Sequence, residues 1–118
     1  MNTLTIDFDQ LRMLAGDEPE FFAEILGMIL DQSPGVMDQM QALLAHQEYH
    51  TLGAVAHKYK SSINILNNDD IAHLLKDIEI TAMSDDNKAM LPELVGSFLQ
   101  VCTQMLQQIQ AELDKLPA

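Results

Sequence analysis

The sequence predicts an all-α fold, an antiparallel up-down four-helix bundle with a short extra N-terminal helix. Apolar residues recur every three or four positions through four long segments, which is the spacing of one buried helix face. Short polar turns separate these segments, and short connections favour antiparallel packing of neighbouring helices. No segment alternates apolar and polar residues convincingly between turn signals, so we predict no sheet.

Length, charge and cysteine content limit the class of protein. The 118 residues suit one domain, which we take as residues 1–118. A formal net charge of -12 argues against nucleic acid as a partner, because phosphates would be repelled. The single cysteine, Cys102, allows no intramolecular disulfide and is expected in the core. Without a leader or a long apolar run, we expect a cytoplasmic monomer that does not enter the membrane.

The first helix is predicted to be short. Asp7 is the expected cap, the helix runs through Ala15, and Gly16 ends it. The residues before it, Met1–Ile6, are expected to be a loose lead-in. Three apolar residues should form the buried side of this helix, namely Phe8, Leu11 and Leu14.

The second helix is predicted to start at Asp17 or Glu18 and to run to about Ala45. Pro34 removes an interior hydrogen bond, so we expect a kink or a break there. The apolar side spans about 200°, which is wider than one bundle seam needs. Either the first helix covers the surplus, or Met and Leu side chains remain exposed as an adaptable docking patch.

The remaining segments complete the bundle. The third helix is predicted over residues 48–67. The fourth begins after a cap at residue 68, 69 or 70, and residues 83–88 form an acidic loop. The last helix starts at residue 87 or 88 and continues to residue 116. The expected inward residues of the fourth helix are Ile71, Leu74, Leu75, Ile78 and Ala82.

A histidine stands on the outer side of the third helix. His57 lies about 140° from the apolar stripe when each residue turns the helix by about 100°. The residues that share its side are all small or polar: Gly53, Ala54, Lys60, Ser61 and Asn64. We therefore expect an accessible imidazole on a shallow surface that a partner can approach. We assign Gly53, Ala54, Lys58, Ser61 and Asn64 to that docking surface.

The charge pattern marks the same place. The chain has 18 acidic residues, yet residues 49–68 contain no Asp or Glu. Lys60 is an i, i+3 neighbour of His57 and can reach it. A histidine with a lysine one turn away and no carboxylate nearby suits an imidazole that accepts and holds a phosphoryl group. The alternative is a solvated helix face that happens to carry one His and two Lys.

The segment Ala56-His57-Lys58-Tyr59-Lys60-Ser61 resembles the Ala-His-x-x-Lys-Gly signature of the histidine-containing phosphotransfer (HPt) domain. Leu66-Asn67 stands where this family tends to have Leu-Gly, and Ile78-Glu79 where it tends to have Leu-Glu. Two residues depart from the family pattern, each by replacing a glycine. Ser61 replaces a glycine and adds a hydroxymethyl group beside the histidine, whereas Asn67 also tolerates the left-handed end of a helix.

The resemblance implies a module of a multistep two-component phosphorelay. His57 would be the phosphoacceptor and Lys60 would stabilise the phosphoryl charge. The implied partners are response-regulator receiver domains and a hybrid sensor histidine kinase, with the divalent metal on the receiver and no cofactor on this chain. The alternative is a non-catalytic helical adaptor that binds such domains without carrying phosphate.

The other histidines offer weaker candidates. His50 lies one heptad before His57 on the same side, but it has no lysine at i+3. His46 and His50 have an i, i+4 spacing that could hold a metal ion, although the Glu-x-x-His pattern of bundle metal sites does not occur twice. His73 is most simply a surface residue.

Overall fold

A computed structural model describes residues 4–116 of the chain. Within this range the chain forms five α-helices and no strand, which confirms the all-α prediction. The helices are α1 (Asp9–Leu14), α2 (Pro19–Ala45), α3 (Tyr49–Ile63), α4 (Asp69–Met83) and α5 (Leu91–Asp114). Two 3₁₀ turns, Asn64–Leu66 and Lys88–Met90, follow α3 and precede α5. None of the described helices is long and apolar enough to cross a membrane.

The four long helices enclose one core. Helix α3 packs on α2 and α4, and α5 packs on the same two helices. Two contacts show that α3 and α4 run antiparallel. Gly53 lies against Met83, and one turn further along α3 His57 meets Glu79, one turn earlier along α4. This register brings residues of α4 to the outward face of α3.

The core follows the predicted helix faces closely. In α4 the expected residues Ile71, Leu75, Ile78 and Ala82 are buried, and Leu74 is half-buried. In α5 the buried apolar side extends from Leu91 to Ile109 and includes Cys102 as predicted. These residues hold α3 and α4 together beneath the surface that carries His57.

A buried chain of polar groups crosses the core from α2 to α5. The Ser33 hydroxyl donates to the Ile29 carbonyl, so its oxygen accepts the hydrogen of the Tyr59 hydroxyl. The Tyr59 oxygen lies 3.5 Å from Cys102 Sγ and can accept the thiol hydrogen. Burial raises the pKa of both the Tyr59 phenol and the Cys102 thiol. Both groups therefore stay neutral and hydrogen-bonded inside the bundle.

Helix α2 runs through Pro34 without a break. Of the two outcomes expected at this proline, the break is therefore wrong. Pro34 has no N–H to donate to the Leu30 carbonyl four residues earlier, and the Ser33 hydroxyl donates to the carbonyl just before it, that of Ile29. The start of α2 at Pro19 and its end at Ala45 agree with the predicted bounds.

The ends of α3 and α4 meet in a tight junction. Helix α3 ends at Ile63, and the 3₁₀ turn that follows ends at Leu66 and is capped by Asn67, whose φ of +52° is left-handed. Asn68 then caps α4, because its side-chain oxygen accepts the Ile71 N–H. The predicted end of the third helix near residue 67 thus includes the 3₁₀ turn.

The N-terminal part departs most from prediction. Helix α1 begins at Asp9, and the Asp7 carboxylate accepts the Asp9 N–H from two residues before it. Leu14 was expected to be buried but is 60% exposed, so that assignment is wrong. Phe8 and Leu11 are buried as expected. The expected loose lead-in is also wrong for its described part, since residues 4–6 are held against the bundle, while residues 1–3 lie outside the described range.

Candidate functional site

His57 stands on the outer face of α3. Its side chain is 62% exposed. Tyr59, two residues along, points into the core, because successive positions two apart face nearly opposite sides of a helix. The inward residues of α3 therefore fix which side of the helix carries the imidazole.

Glu79 of α4 forms a hydrogen bond with this imidazole. His57 Nδ1 lies 3.1 Å from both carboxylate oxygens of Glu79. A carboxylate can only accept hydrogen bonds, so Nδ1 carries the hydrogen and the neutral ring keeps its lone pair on Nε2. The contact thus selects one tautomer and directs the nucleophilic nitrogen away from α4.

The expectation that no carboxylate lies near His57 is therefore wrong. That expectation was based on the sequence of α3, which contains no acidic residue, whereas Glu79 belongs to the neighbouring helix α4. Ile78-Glu79 is part of the family resemblance, but the position of Glu79 opposite His57 depends on the antiparallel register of α3 and α4. Spacing within one helix does not reveal that register.

The two lysines near His57 have different surroundings. Lys60 is half-buried, and the ion pairs among residues 4–116 do not include it. Lys58 is exposed and lines a shallow groove against α2, together with Gln32 and Val36. Neither lysine is in an ion pair within residues 4–116, so the two differ in position, and Lys60 is the one that lies one turn from the imidazole.

Four of the five residues assigned to the docking surface are exposed: Ala54, Lys58, Ser61 and Asn64. The Ser61 hydroxyl, which the family's usual glycine lacks, donates to the His57 carbonyl at 3.3 Å and is thus hydrogen-bonded within α3.

Gly53, the fifth residue assigned to the docking surface, is buried. A Cβ at Gly53 would lie 2.9 Å from Met83 Cε and 3.4 Å from Ala82 Cβ, so this glycine allows close approach of α4. The expectation that Gly53 lies on an open surface is wrong.

An apolar groove between α2 and α3 begins one turn from His57. It is lined by Ile25, Met28, Ile29, Asp31, Gln32, Ser61, Ser62 and Ile65. Met28 is 65% exposed and Phe21, two turns earlier on α2, is 45% exposed. Phe22, by contrast, contacts residues that precede α2: the ring centroids of Phe8 and Phe22 are 6.3 Å apart, and Arg12 Cζ lies 5.1 Å from the Phe22 centroid. Of the two outcomes predicted for the surplus apolar side of α2, exposure therefore occurs at Met28.

The remaining histidines do not join this site. His46, His50 and His73 are all exposed. In residues 4–116 no group of three or more His, Cys, Asp or Glu side chains could hold a metal ion. His50 does not lie within hydrogen-bond distance of a carboxylate in this range, which distinguishes it from His57.

The arrangement can perform nucleophilic chemistry at a single atom. His57 Nε2 presents a lone pair to solvent, Glu79 holds the opposite side of the ring, and Lys60 supplies a positive charge one turn away. The exposed apolar side chains of α2 lie beside this face. A partner that docks there can bring an electrophile to Nε2.

Comparison with known proteins agrees with this description. The family model of the Hpt domain matches residues 24–116, a range that includes His57, Lys60 and Glu79. Neither the curated proteins nor the solved structures give a significant match. Because the match covers most of the chain, the protein belongs to the Hpt domain family, the phosphotransfer modules of two-component signalling.

Proposed function

We propose that this protein carries a phosphoryl group on His57 between receiver domains of a multistep phosphorelay. The observation that supports the proposal best is the hydrogen bond from His57 Nδ1 to Glu79, which leaves Nε2 exposed with its lone pair free. Family membership supports phosphotransfer as the activity. The donor and the acceptor of the phosphoryl group are aspartate side chains of partner receiver domains, and a hybrid sensor histidine kinase supplies the phosphoryl group to this pathway.

The transfer step follows from the site. The Nε2 lone pair attacks the phosphorus of an aspartyl phosphate, the N–P bond forms, and the acyl O–P bond breaks with its electrons on the departing aspartate carboxylate. The ring gains a positive charge, which the Glu79 carboxylate stabilises through Nδ1–H. Attack by a second aspartate on the phosphorus reverses these changes and frees the ring.

Lys60 and the partner supply the remaining charges. The phosphoryl oxygens carry a charge of roughly -2, which Lys60 opposes from one turn away. The divalent metal belongs to the receiver domain, and this chain contributes no cofactor. We expect the module to act as a cytoplasmic monomer, with Ala54, Lys58, Ser61 and Asn64 contacting the receiver around His57.

The test is phosphoryl transfer from a purified receiver domain carrying an aspartyl phosphate. We expect acid-labile, base-stable phosphate on the wild-type chain and none on His57→Gln, with the helical circular dichroism of the two chains the same. His50→Gln is the matched control and should accept phosphate at the wild-type rate. Receiver binding without phosphate on the chain would instead support the adaptor, and full transfer to His57→Gln would refute the site.

A further inference from the structure

The segment before α1 lies on the bundle with every second side chain buried. Leu4, Ile6 and Phe8 are 3%, 7% and 9% exposed, whereas Thr5 and Asp7 face solvent. From Leu4 to Asp7 this alternation is typical of an extended chain with one face on an apolar surface, and Phe8, with φ of −87° and ψ of −2°, begins the turn into α1. We call residues 4–8 the N-terminal segment.

Two glutamines of α5 bind the backbone of this segment. Gln104 Oε1 accepts the Leu4 N–H at 2.9 Å, and Gln108 Oε1 accepts the Ile6 N–H at 2.8 Å. Gln108 Nε2 also donates to the Leu4 carbonyl. The two glutamines stand one turn apart, so their side-chain amides meet backbone groups two residues apart in an extended chain. Added strands are recognised at sheet edges in the same way, through the main chain.

Asn68 binds the other edge of the segment. Its Nδ2 donates to the Thr5 carbonyl at 3.0 Å, while its Oδ1 caps α4. Backbone groups of three consecutive residues are therefore bound by side chains of the bundle. These groups are present in any peptide, so only the alternating apolar side chains make the binding selective.

Residues 4–16 contact the bundle but precede its first long helix, α2. Beyond the N-terminal segment, Arg12 forms a two-pronged ion pair with Glu112 at 2.6 and 2.8 Å. Two consecutive left-handed residues, Gly16 and Asp17, with φ of +66° and +59°, then turn the chain into α2. The Hpt family model begins at residue 24, so this part also lies outside the matched domain.

We propose that Gln104, Gln108 and Asn68 form a binding site for an extended peptide with apolar side chains at alternate positions, and that the N-terminal segment is its releasable intramolecular occupant. Covalent attachment gives the occupant an effective concentration on the order of millimolar. A separate peptide therefore binds when the affinity of the attached segment is reduced. The site is independent of His57 and of phosphotransfer.

The experiment uses the full chain with Leu4→Ser and Ile6→Ser, which weakens the attached occupant. The probe is a synthetic peptide with the sequence of residues 3–10, labelled at its C-terminus and followed by fluorescence anisotropy. We expect saturable binding to this variant and weaker apparent binding to the wild-type chain. Adding Gln104→Ala and Gln108→Ala should weaken binding about tenfold or more, because at least two hydrogen bonds to the peptide are lost.

A peptide with Ser in place of its Leu and Ile is the matched control and should not bind. Absence of peptide binding by a variant that keeps its helical circular dichroism would overturn the proposal. So would equal binding of the control peptide, or binding unaffected by the two glutamine substitutions.

Hydrogen exchange of the wild-type chain tests the same proposal without any variant. The amides of Leu4 and Ile6 should exchange by local release, at least about 100-fold faster than the slowest amides of α3 and α5. If they exchange only as slowly as those core amides, release requires unfolding of the bundle and the proposal is wrong.

Discussion

His57 and Glu79 are bonded across the α3–α4 interface, with Nδ1 3.1 Å from both carboxylate oxygens. The bond places a negative charge on the side of the ring opposite the attacking nitrogen. Its geometric and electrostatic effects can be separated by substitution, since a glutamine amide oxygen also accepts a hydrogen bond but carries no charge.

We predict that Glu79→Gln slows phosphoryl transfer to His57 about fivefold to tenfold, the difference expected between a charged and a neutral acceptor. Glu79→Ala should slow it further, because the tautomer is no longer selected. Transfer is measured from a phosphorylated receiver domain, and ¹⁵N NMR of the imidazole reports which nitrogen carries the hydrogen. Asp77→Asn, an exposed substitution on the same helix, is the control. Equal rates and spectra for all four chains would show that Glu79 has neither effect.

Lys60→Ala should slow transfer without preventing it. Exposed charge pairs contribute about 0.2–1 kcal/mol, which corresponds to a rate change of about 1.5-fold to fivefold. The lifetime of the phosphohistidine should also change, because Lys60 opposes the phosphoryl charge. Lys58→Ala removes the same charge on the α2 side of α3 and should have little effect. An effect of Lys58→Ala as large as that of Lys60→Ala would contradict the assignment.

Gly53→Leu should destabilise the bundle by about 1–3 kcal/mol, the usual cost of adding atoms to a packed site. The new side chain must displace Met83, whose Cε would lie 2.9 Å from the added Cβ, and it also meets Ala82. Ala54→Leu, at the exposed neighbouring position, should change stability by less than about 0.5 kcal/mol. Urea unfolding of the two variants makes the comparison, and equal midpoints would mean that α4 does not approach Gly53 closely.

The free energy of unfolding should fall as the pH rises above about 9, near the ordinary pKa of a thiol. Burial raises the pKa of Cys102 and of Tyr59 in the folded chain, so both groups lose protons in the unfolded chain first. The folded state then binds more protons, and stability decreases by up to about 1.4 kcal/mol per pH unit for each group. Urea unfolding from pH 7 to 10.5 measures the slope. Cys102→Ala should reduce the decrease of the free energy of unfolding that begins near pH 9, and an unchanged slope would show that Cys102 does not contribute.

The sequence was sufficient for the features that depend on one helix at a time. Period and capping residues predicted the five helices, and the spacing around His57 placed it opposite the inward residues of α3. The features that it missed around His57 depend on contacts between helices. Glu79 reaches His57, and Met83 covers Gly53, because α4 runs antiparallel to α3 in one particular register.

The N-terminal segment illustrates a different limit. Leu4, Ile6 and Phe8 alternate with polar residues, which is a signal for an extended chain, but the signal covers only five residues. The partners of its backbone are glutamine side chains about 100 positions away, Gln104 and Gln108. Glutamine on a long helix is ordinary in composition, so nothing in the residue types pointed to this contact.

The hydroxyl of Tyr59 has a consequence for the opposite side of its helix. Turning α3 about its axis, or sliding it by one residue, would take this hydroxyl away from Ser33 and Cys102 and leave it without a partner where water cannot reach. Such movements of α3 are therefore penalised from inside the protein. The direction in which His57 faces a visiting protein is maintained by hydrogen bonds that the visitor never touches.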